Sequence, residues 1–239
     1  MKIYYDFHIH SALSPCGDDD MTPNNIVNMA KLNGLDAIAV SDHNCTKNLE
    51  TISKIALKEN IIFLPGCEVE SSEEIHVLCL FENVADAIKF DENVISKKLP
   101  HIKNNVQIFG EQCIFDELDN IIAKDDRYLI NATTLSIDEI RIKAGEYGGI
   151  AIPAHIDKQS KSIMSVFGFV DKSMGFDCFE LSKNVSDNFI DDNNLNDDNL
   201  FLYDSDAHYL WDINERNDKN FIEIDYPSAR NIIKYLTKK

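Results

Sequence analysis

No stretch of this chain approaches the ~20 consecutive apolar residues that a membrane-spanning helix needs, so a membrane is not an expected partner. Basic residues are scarce: 23 Lys and Arg stand against 41 Asp and Glu, a formal net charge of −18. Proteins that track a long polyanion neutralise its phosphates with Lys and Arg, so long nucleic acid is not expected either. A small phosphorylated substrate stays open, because bound divalent metals supply positive charge where it is needed. Cysteine pairs are missing as well. The six cysteines stand singly at Cys16, Cys45, Cys67, Cys79, Cys113 and Cys178, with no C-x-x-C, which argues against a zinc ribbon. Charge and histidine interrupt any apolar core in Met1-Lys2-Ile3-Tyr4-Tyr5-Asp6-Phe7-His8, so no secretory signal is read there. Free thiols in a reducing cytoplasm are the expectation that follows.

What the chain does have is ordinary globular stuff: 239 residues, of which 44% are hydrophobic, enough for one large domain with a buried core. Its first half alternates strand and helix. Ile3–Phe7 is a β-rich run, and Thr22-Pro23 reads as an N-cap followed by the first helical residue, with Gly34 as the stop. Leu35–Val40 is a nearly continuous apolar run, as in a strand buried on both faces. Leu49, Ile52, Ile55 and Ala56 form the stripe of a second helix, and Ile61–Leu64 and Ile75–Phe81 are further strands. Residues 82–126 have weaker periodicity and read as a decoration on a single domain covering 1–239. Ser136 with Glu139 makes a capping box for a helix ending near Gly148-Gly149. Ile150–Pro153, Phe176–Leu181, Leu200–Tyr203 and Phe221–Ile224 read as later strands, and Asp187–Asn199 as a solvated loop. Repeated strand–helix units predict an α/β fold with a closed or nearly closed parallel barrel.

Six of the seven histidines lie at the boundaries of these strands. His8-x-His10 ends the first, and i, i+2 spacing in extended chain points both rings to one side. Ser41-Asp42-His43 and Pro65-Gly66-Cys67-Glu68 end the next two. His76 opens the fourth, and Pro153-Ala154-His155 and Ser205-Asp206-Ala207-His208 follow later strands. Each histidine alone is explained as well by a local hydrogen bond. The set is not, because a parallel barrel gathers its strand C-termini on one face, where barrel enzymes place their sites. His76 breaks the pattern by preceding its strand. His101, in Leu99-Pro100-His101-Ile102-Lys103, has no such setting and is given no site role. Imidazole with carboxylate suits Zn²⁺, Mn²⁺ or Fe²⁺. A carboxylate such as Glu68 can bridge two ions about 3.5–4 Å apart, an arrangement suited to phosphoryl transfer.

The order H-x-H, D-H, E, H, A-H, D-x-H resembles that of the polymerase and histidinol phosphatase (PHP) family of metal-dependent phosphoesterases. Asp6-Phe7-His8-Ile9-His10-Ser11 looks like the family's first motif and Leu35 to Asn44 like its second. Gly66-Cys67-Glu68-Val69-Glu70 with His76-Val77-Leu78 is similar to its bridging-glutamate segment. The resemblance implies a distorted (β/α)7 barrel holding two or three divalent transition-metal ions. It implies His8, His10, Glu68 and Asp206 on one ion, and Glu68, His76 and His155 on a second. A third would fall to His43, His208 and a residue of the loop after His10. Counting back from Thr22-Pro23 selects Asp18, with Asp19, Asp20 and Cys16 as alternatives. Asp42 is a candidate to orient a ligand histidine or relay a proton, with turn capping as the other reading. Lys158 and Lys183 are candidates for the substrate phosphate, against a plain role as solvated lysines. Cys45 and Cys67 are read as inert small side chains.

The leading functional expectation is hydrolysis of a phosphate ester, on a small metabolite or nucleotide, by metal-activated hydroxide. Glu68, Asp206 and Asp42 are its catalytic candidates. An exonuclease on short 5′-phosphorylated oligonucleotides is the alternative within that class. A non-catalytic metal-binding regulatory module would show missing ligands, and a metal-dependent amide hydrolase would show a lysine suited to carbamylation. Neither signature is found in the motifs.

Overall fold

Long apolar runs make buried strands here, and the lengths of the links between them decide which way each strand runs. The computed structural model describes residues 1–195 and 199–237. Ten strands occur among them: β1 (Lys2–Ile9), β2 (Ala37–Val40), β3 (Ile62–Glu70), β4 (His76–Leu80), β5 (Cys113–Phe115), β6 (Ile121–Lys124), β7 (Ile150–Pro153), β8 (Cys178–Ser182), β9 (Leu200–Asp204) and β10 (Phe221–Glu223). Six form one sheet in the order β10-β1-β2-β3-β4-β7. β1, β2 and β3 are parallel, and every residue of β2 is fully buried, as its unbroken apolar sequence requires.

β8 and β9 form a separate parallel pair. The Ile156 N–H donates to Glu180 O (2.9 Å) just past β7, and the Ala207 N–H donates to His8 O (3.2 Å) on β1. The pair therefore stands between β7 and β1 of the sheet, which curls into a half-barrel in a mixed α/β fold.

The expected all-parallel arrangement fails at β3–β4. Ser71–Ile75 is all that joins these strands, and a parallel crossover needs a dozen residues or more. They form an antiparallel hairpin instead, with Glu70 opposite His76, and β4 is antiparallel to β7 as well. This also accounts for His76: the start of a reversed strand lies at the same end of the sheet as the finish of its neighbours.

Local signals hold at the helices. Thr22 caps Pro23–Leu32 by accepting from the Asn25 N–H, and Gly34 follows with φ +74°. Both bonds of the Ser136–Glu139 capping box are made at Ile137–Glu146. Residues 82–126 contain the helix Val84–Phe90, a wider π turn at Asp91–Ile95 and the β5–β6 hairpin. Part of the Asp- and Asn-rich segment expected as loop is a short helix, Phe189–Asp192, while residues 196–198 lie outside the described residues. No helix among the described residues is long and apolar enough to cross a membrane.

Candidate metal centre

Glu68 sits within β3, fully buried, with five imidazoles around its carboxylate. Its oxygens lie 2.9 Å from His76 Nδ1, 3.0 Å from His43 Nδ1, 3.2 Å from His155 Nε2, 3.3 Å from His8 Nε2 and 3.5 Å from His10 Nε2. β1 supplies His8 and, one residue past its end, His10; the segment after β2 supplies His43; β4 supplies His76; and the segments after β7 and β9 supply His155, Asp206 and His208. Two of these side chains sit on unusual backbone. His155 has φ +31° and Asp206 has φ +51°, in the left-handed region that non-glycine residues enter at a cost.

The donor atoms fall into overlapping sets. One atom each from His8, His10, Glu68 and Asp206 lie within 4.8 Å of one another, as do those of His43, Glu68 and His76, and those of His10, His43 and His208. Glu68 belongs to the first two sets, and His155 adjoins it. Asp206 Oδ1 lies 3.1 Å from His10 Nε2 and 3.4 Å from His8 Nε2.

Whether a cation suits this cluster can be judged from the lone pairs. Glu68 Oε2 and His43 Nδ1 are 3.0 Å apart, yet each is buried with no hydrogen-bond partner at acceptable angles. His76 Nε2 and His155 Nδ1 are in the same condition. Buried polar atoms left in this way cost free energy unless something else satisfies them. His8 Nε2 and His10 Nε2 also face each other at 3.1 Å. Glu68 Oε2 and His43 Nδ1, adjacent and each without a hydrogen-bond partner, are what cation ligands present, and the mixed imidazole and carboxylate donors suit a transition metal.

Around the cluster, other side chains hold the imidazoles in place. Glu180 of β8 is fully buried and receives His8 Nδ1 at 2.9 and 3.0 Å. Such a carboxylate fixes the ring's tautomer and leaves the other nitrogen free to ligate. His10 Nδ1 meets Ser14 Oγ at 2.9 Å, and Ser14 Oγ donates to Asp42 Oδ1 at 2.7 Å. Asp42 also accepts from the N–H and hydroxyl of Ser11. Asp42 thus binds the loop through Ser11 and reaches His10 through Ser14. Its carboxylate faces those serines.

The charges reinforce the grouping. Burial would raise the Glu68 pKa, but His76, His8 and His43 hold it well below the ordinary carboxylate value. Burial alone would neutralise His8; Glu180, Glu68 and Asp206 push its pKa up instead. His10 goes the other way, depressed by burial and by His208 and His43.

In the loop after His10, Asp18 falls in none of the three donor sets. Asp18 donates its N–H to His208 O (2.9 Å), but its carboxylate accepts from the Asp20 N–H (3.0 Å). Cys16, an exposed residue of the same loop, is the side chain that interacts with His43 and His208. Burial raises its pKa, but hydrogen bonds to His208 and His43 and their charge more than reverse this and bring it down to about 6. Gly17 packs so closely on Ser11 that a Cβ there would lie 2.5 Å from Ser11 O.

Lys158 bonds the Asp206 carboxylate at the cluster's edge. Lys183 donates to Asp212 O at 2.7 Å. Glu70, unassigned from sequence, is buried beside His76 and accepts from Lys161. Glu180 also went unassigned; a lone carboxylate inside the apolar run Cys178-Phe179-Glu180-Leu181 was its only signal. His101 is exposed and lies in none of these sets.

The model of the PHP domain matches residues 6–113, a span that contains His8, His10, His43, Glu68 and His76. The motif resemblance is thus borne out over that part of the chain. No curated protein matches the chain in sequence. Among solved structures, the chain is similar to the lesion-specific endonuclease PfuEndoQ from Pyrococcus furiosus (TM-score 0.69, 21% identity, covering 100% of this chain and 56% of that one). It is similar also to Endonuclease Q in complex with a 27-mer duplex carrying an abasic lesion (TM-score 0.66, 20% identity, 100% and 57% covered). A protein from Bifidobacterium adolescentis named as a metal-dependent phosphoesterase shares the fold over nearly its whole length (TM-score 0.64, 16% identity, 97% and 95% covered). The chain spans a little over half the length of the two endonuclease chains. At these identities the likeness is one of fold.

Proposed function

We propose that this chain, which carries the PHP-domain match at residues 6–113, hydrolyses phosphate esters at a two- or three-ion centre built around Glu68. The observation that carries this reading is one buried carboxylate within 3.5 Å of five imidazoles. His8, His10, Glu68 and Asp206 would hold one ion, and Glu68, His76 and His155 a second. Bound Zn²⁺, Mn²⁺ or Fe²⁺ supplies Lewis acidity there, lowering the pKa of water and offsetting charge on the phosphoryl oxygens. The chain's own part is to fix the donors. Glu180 sets the tautomer of His8, Ser14 and Asp42 set that of His10, and Glu68 places negative charge between the two donor sets. A cavity of about 190 Å³ opens on this cluster, with Lys158, Ser160 and Lys161 at its wall.

Lys158 is proposed to hold a phosphate oxygen as a point charge. Lys158→Ala is expected to raise KM for the ester several-fold while metal content stays unchanged, measured by steady-state kinetics alongside elemental analysis. Lys183 is proposed as an outer contact, because it is already engaged with Asp212.

For a third ion, His43 and His208 would be joined by Cys16 in preference to Asp18. A thiolate is a soft anionic donor, and His208 and His43 pull the Cys16 thiol down towards ionisation, whereas one Asp18 carboxylate oxygen accepts from the Asp20 N–H. In Co²⁺-loaded protein, wild type and Asp18→Asn should both show sulfur-to-cobalt absorption in the near ultraviolet, and Cys16→Ser should lose it. Absorption that survives Cys16→Ser would remove Cys16 from the ligand set.

A panel of phosphorylated metabolites, nucleoside monophosphates and short 5′-phosphorylated oligonucleotides, assayed with Mn²⁺, Fe²⁺ and Zn²⁺, tests the reading as a whole. The formal charge of −18 favours small esters over long duplexes. Turnover that rises with oligonucleotide length would favour the nuclease alternative.

A further inference from the structure

Three residues past His208, the chain's one tryptophan faces solvent. Trp211 is 74% exposed and stacks on Tyr209, which is 40% exposed, with ring centroids 4.8 Å apart and planes 16° from parallel. Two large rings side by side in water forgo the gain of burial and present a flat aromatic face to solvent. They are held on a tethered turn. Leu210 packs inward, Ile213 is buried, the Asp212 N–H donates to Tyr209 O (2.9 Å), and Lys183 donates to Asp212 O (2.7 Å). Three residues of extended chain reach at most about 10–11 Å, so the backbone of the pair lies within that distance of His208, whose side chain enters the centre.

The centre itself has little room. Its cavity of about 190 Å³ is walled by His43, Glu68, His76, His155, Asp206 and His208 together with the two lysines and Ser160. Sites for whole small ligands run to roughly 300–1,000 Å³ and are mostly apolar. Such a cavity suits the phosphate group, and the organic part of the ester must extend over the rim.

We propose that Tyr209 and Trp211 form a stacking platform for the base of the substrate, so that the esters taken are nucleoside phosphates. This rests on the phosphoester reading of the metal centre. A base brings a flat π face to the outer ring of a pair that is already stacked, and base–aromatic stacking of this kind is tolerant of sequence. A sugar or polyol phosphate has no such face. The chain's acidity fits one nucleotide or a few, since no charged groove is needed to hold a single base.

Because Trp211 is the only tryptophan, its fluorescence reports on this surface alone. Metal-loaded protein is titrated with a non-hydrolysable phosphonate analogue of adenosine 5′-monophosphate and, separately, with ribose 5-phosphate. Quenching by the nucleotide analogue and none by ribose 5-phosphate is expected. In Trp211→Ala, the ratio of kcat/KM for adenosine 5′-monophosphate to that for glycerol phosphate should fall about 5- to 100-fold, and Trp211→Phe should recover part of it. A 5′-phosphorylated dinucleotide turned over faster than the mononucleotide assigns the platform to an oligonucleotide end; the reverse order assigns it to free nucleotide. Hydrolysis of glycerol phosphate with no quenching and an unchanged ratio overturns the platform and leaves the phosphoester reading standing. Quenching by the nucleotide analogue in a protein that cleaves no phosphate ester does the opposite.

Discussion

Glu68→Gln should lose bound metal and at least about 10²-fold of phosphoesterase turnover, with the fold kept. Glutamine matches glutamate in size, so β3 and its buried packing have no reason to change. What changes is charge and the number of good donor oxygens. Glu68 lies in two donor sets, so one substitution would reach both proposed ions. With an amide there, two cations would stand close together with less negative charge between them, and five imidazoles would lose their common acceptor. Elemental analysis, circular dichroism and turnover measured on the same preparation read the three consequences separately. A Glu68→Gln protein with full metal and full turnover would end the bridging assignment.

Glu180 should show the next largest effect although it is not itself a proposed metal ligand. Its carboxylate holds His8 Nδ1 at 2.9 Å, and removing such a partner costs about 10- to 100-fold in metal affinity or activity. Glu180→Ala leaves His8 free to rotate or to take the other tautomer, whereas Glu180→Gln keeps one carbonyl oxygen as an acceptor. Metal affinity, measured by competition with a chelator, is therefore expected to fall in the order wild type, Gln, Ala. A purely structural role would lower thermal stability in both variants and leave affinity alone. Glu180 also sits among buried acids: Asp204 is pushed up by burial and then by the charge of Glu180 and Asp6. Neutralising Glu180 should relax that strain, which makes lost metal affinity the more telling readout.

Much of this architecture was legible in the sequence because its residues announce themselves by position. Short apolar runs ending in His10, His43, His155 or His208 mark strand ends, and the chemistry of imidazole makes their convergence meaningful. Thr22-Pro23 and Ser136 with Glu139 mark helix starts through purely local bonds. Less legible was anything set by the packing of distant segments. The direction of β4 depended on weighing Ser71–Ile75 as too short for a crossover. Glu180 carries no motif; it becomes meaningful only once the β8–β9 pair is laid between β7 and β1, which brings it to His8, 172 residues away in sequence. Counting residues back from a helix start could not decide between Asp18 and Cys16, because the outcome depends on how the loop folds over Ser11. Asp187–Asn199 looked like loop from composition, yet Phe189 and Ile190 pack against the main core cluster and part of the segment winds into a helix.

The central claim, that the Glu68 cluster cleaves phosphate esters through bound metal, is tested most directly by phosphate release from chelator-treated protein. The substrates are nucleoside monophosphates and other small esters, assayed before and after readdition of Mn²⁺, Fe²⁺ or Zn²⁺. The account predicts negligible release without metal and restored release with at least one of these ions, at a rate that Glu68→Gln does not reach. Protein that takes up stoichiometric metal and still releases phosphate from none of these esters would contradict it.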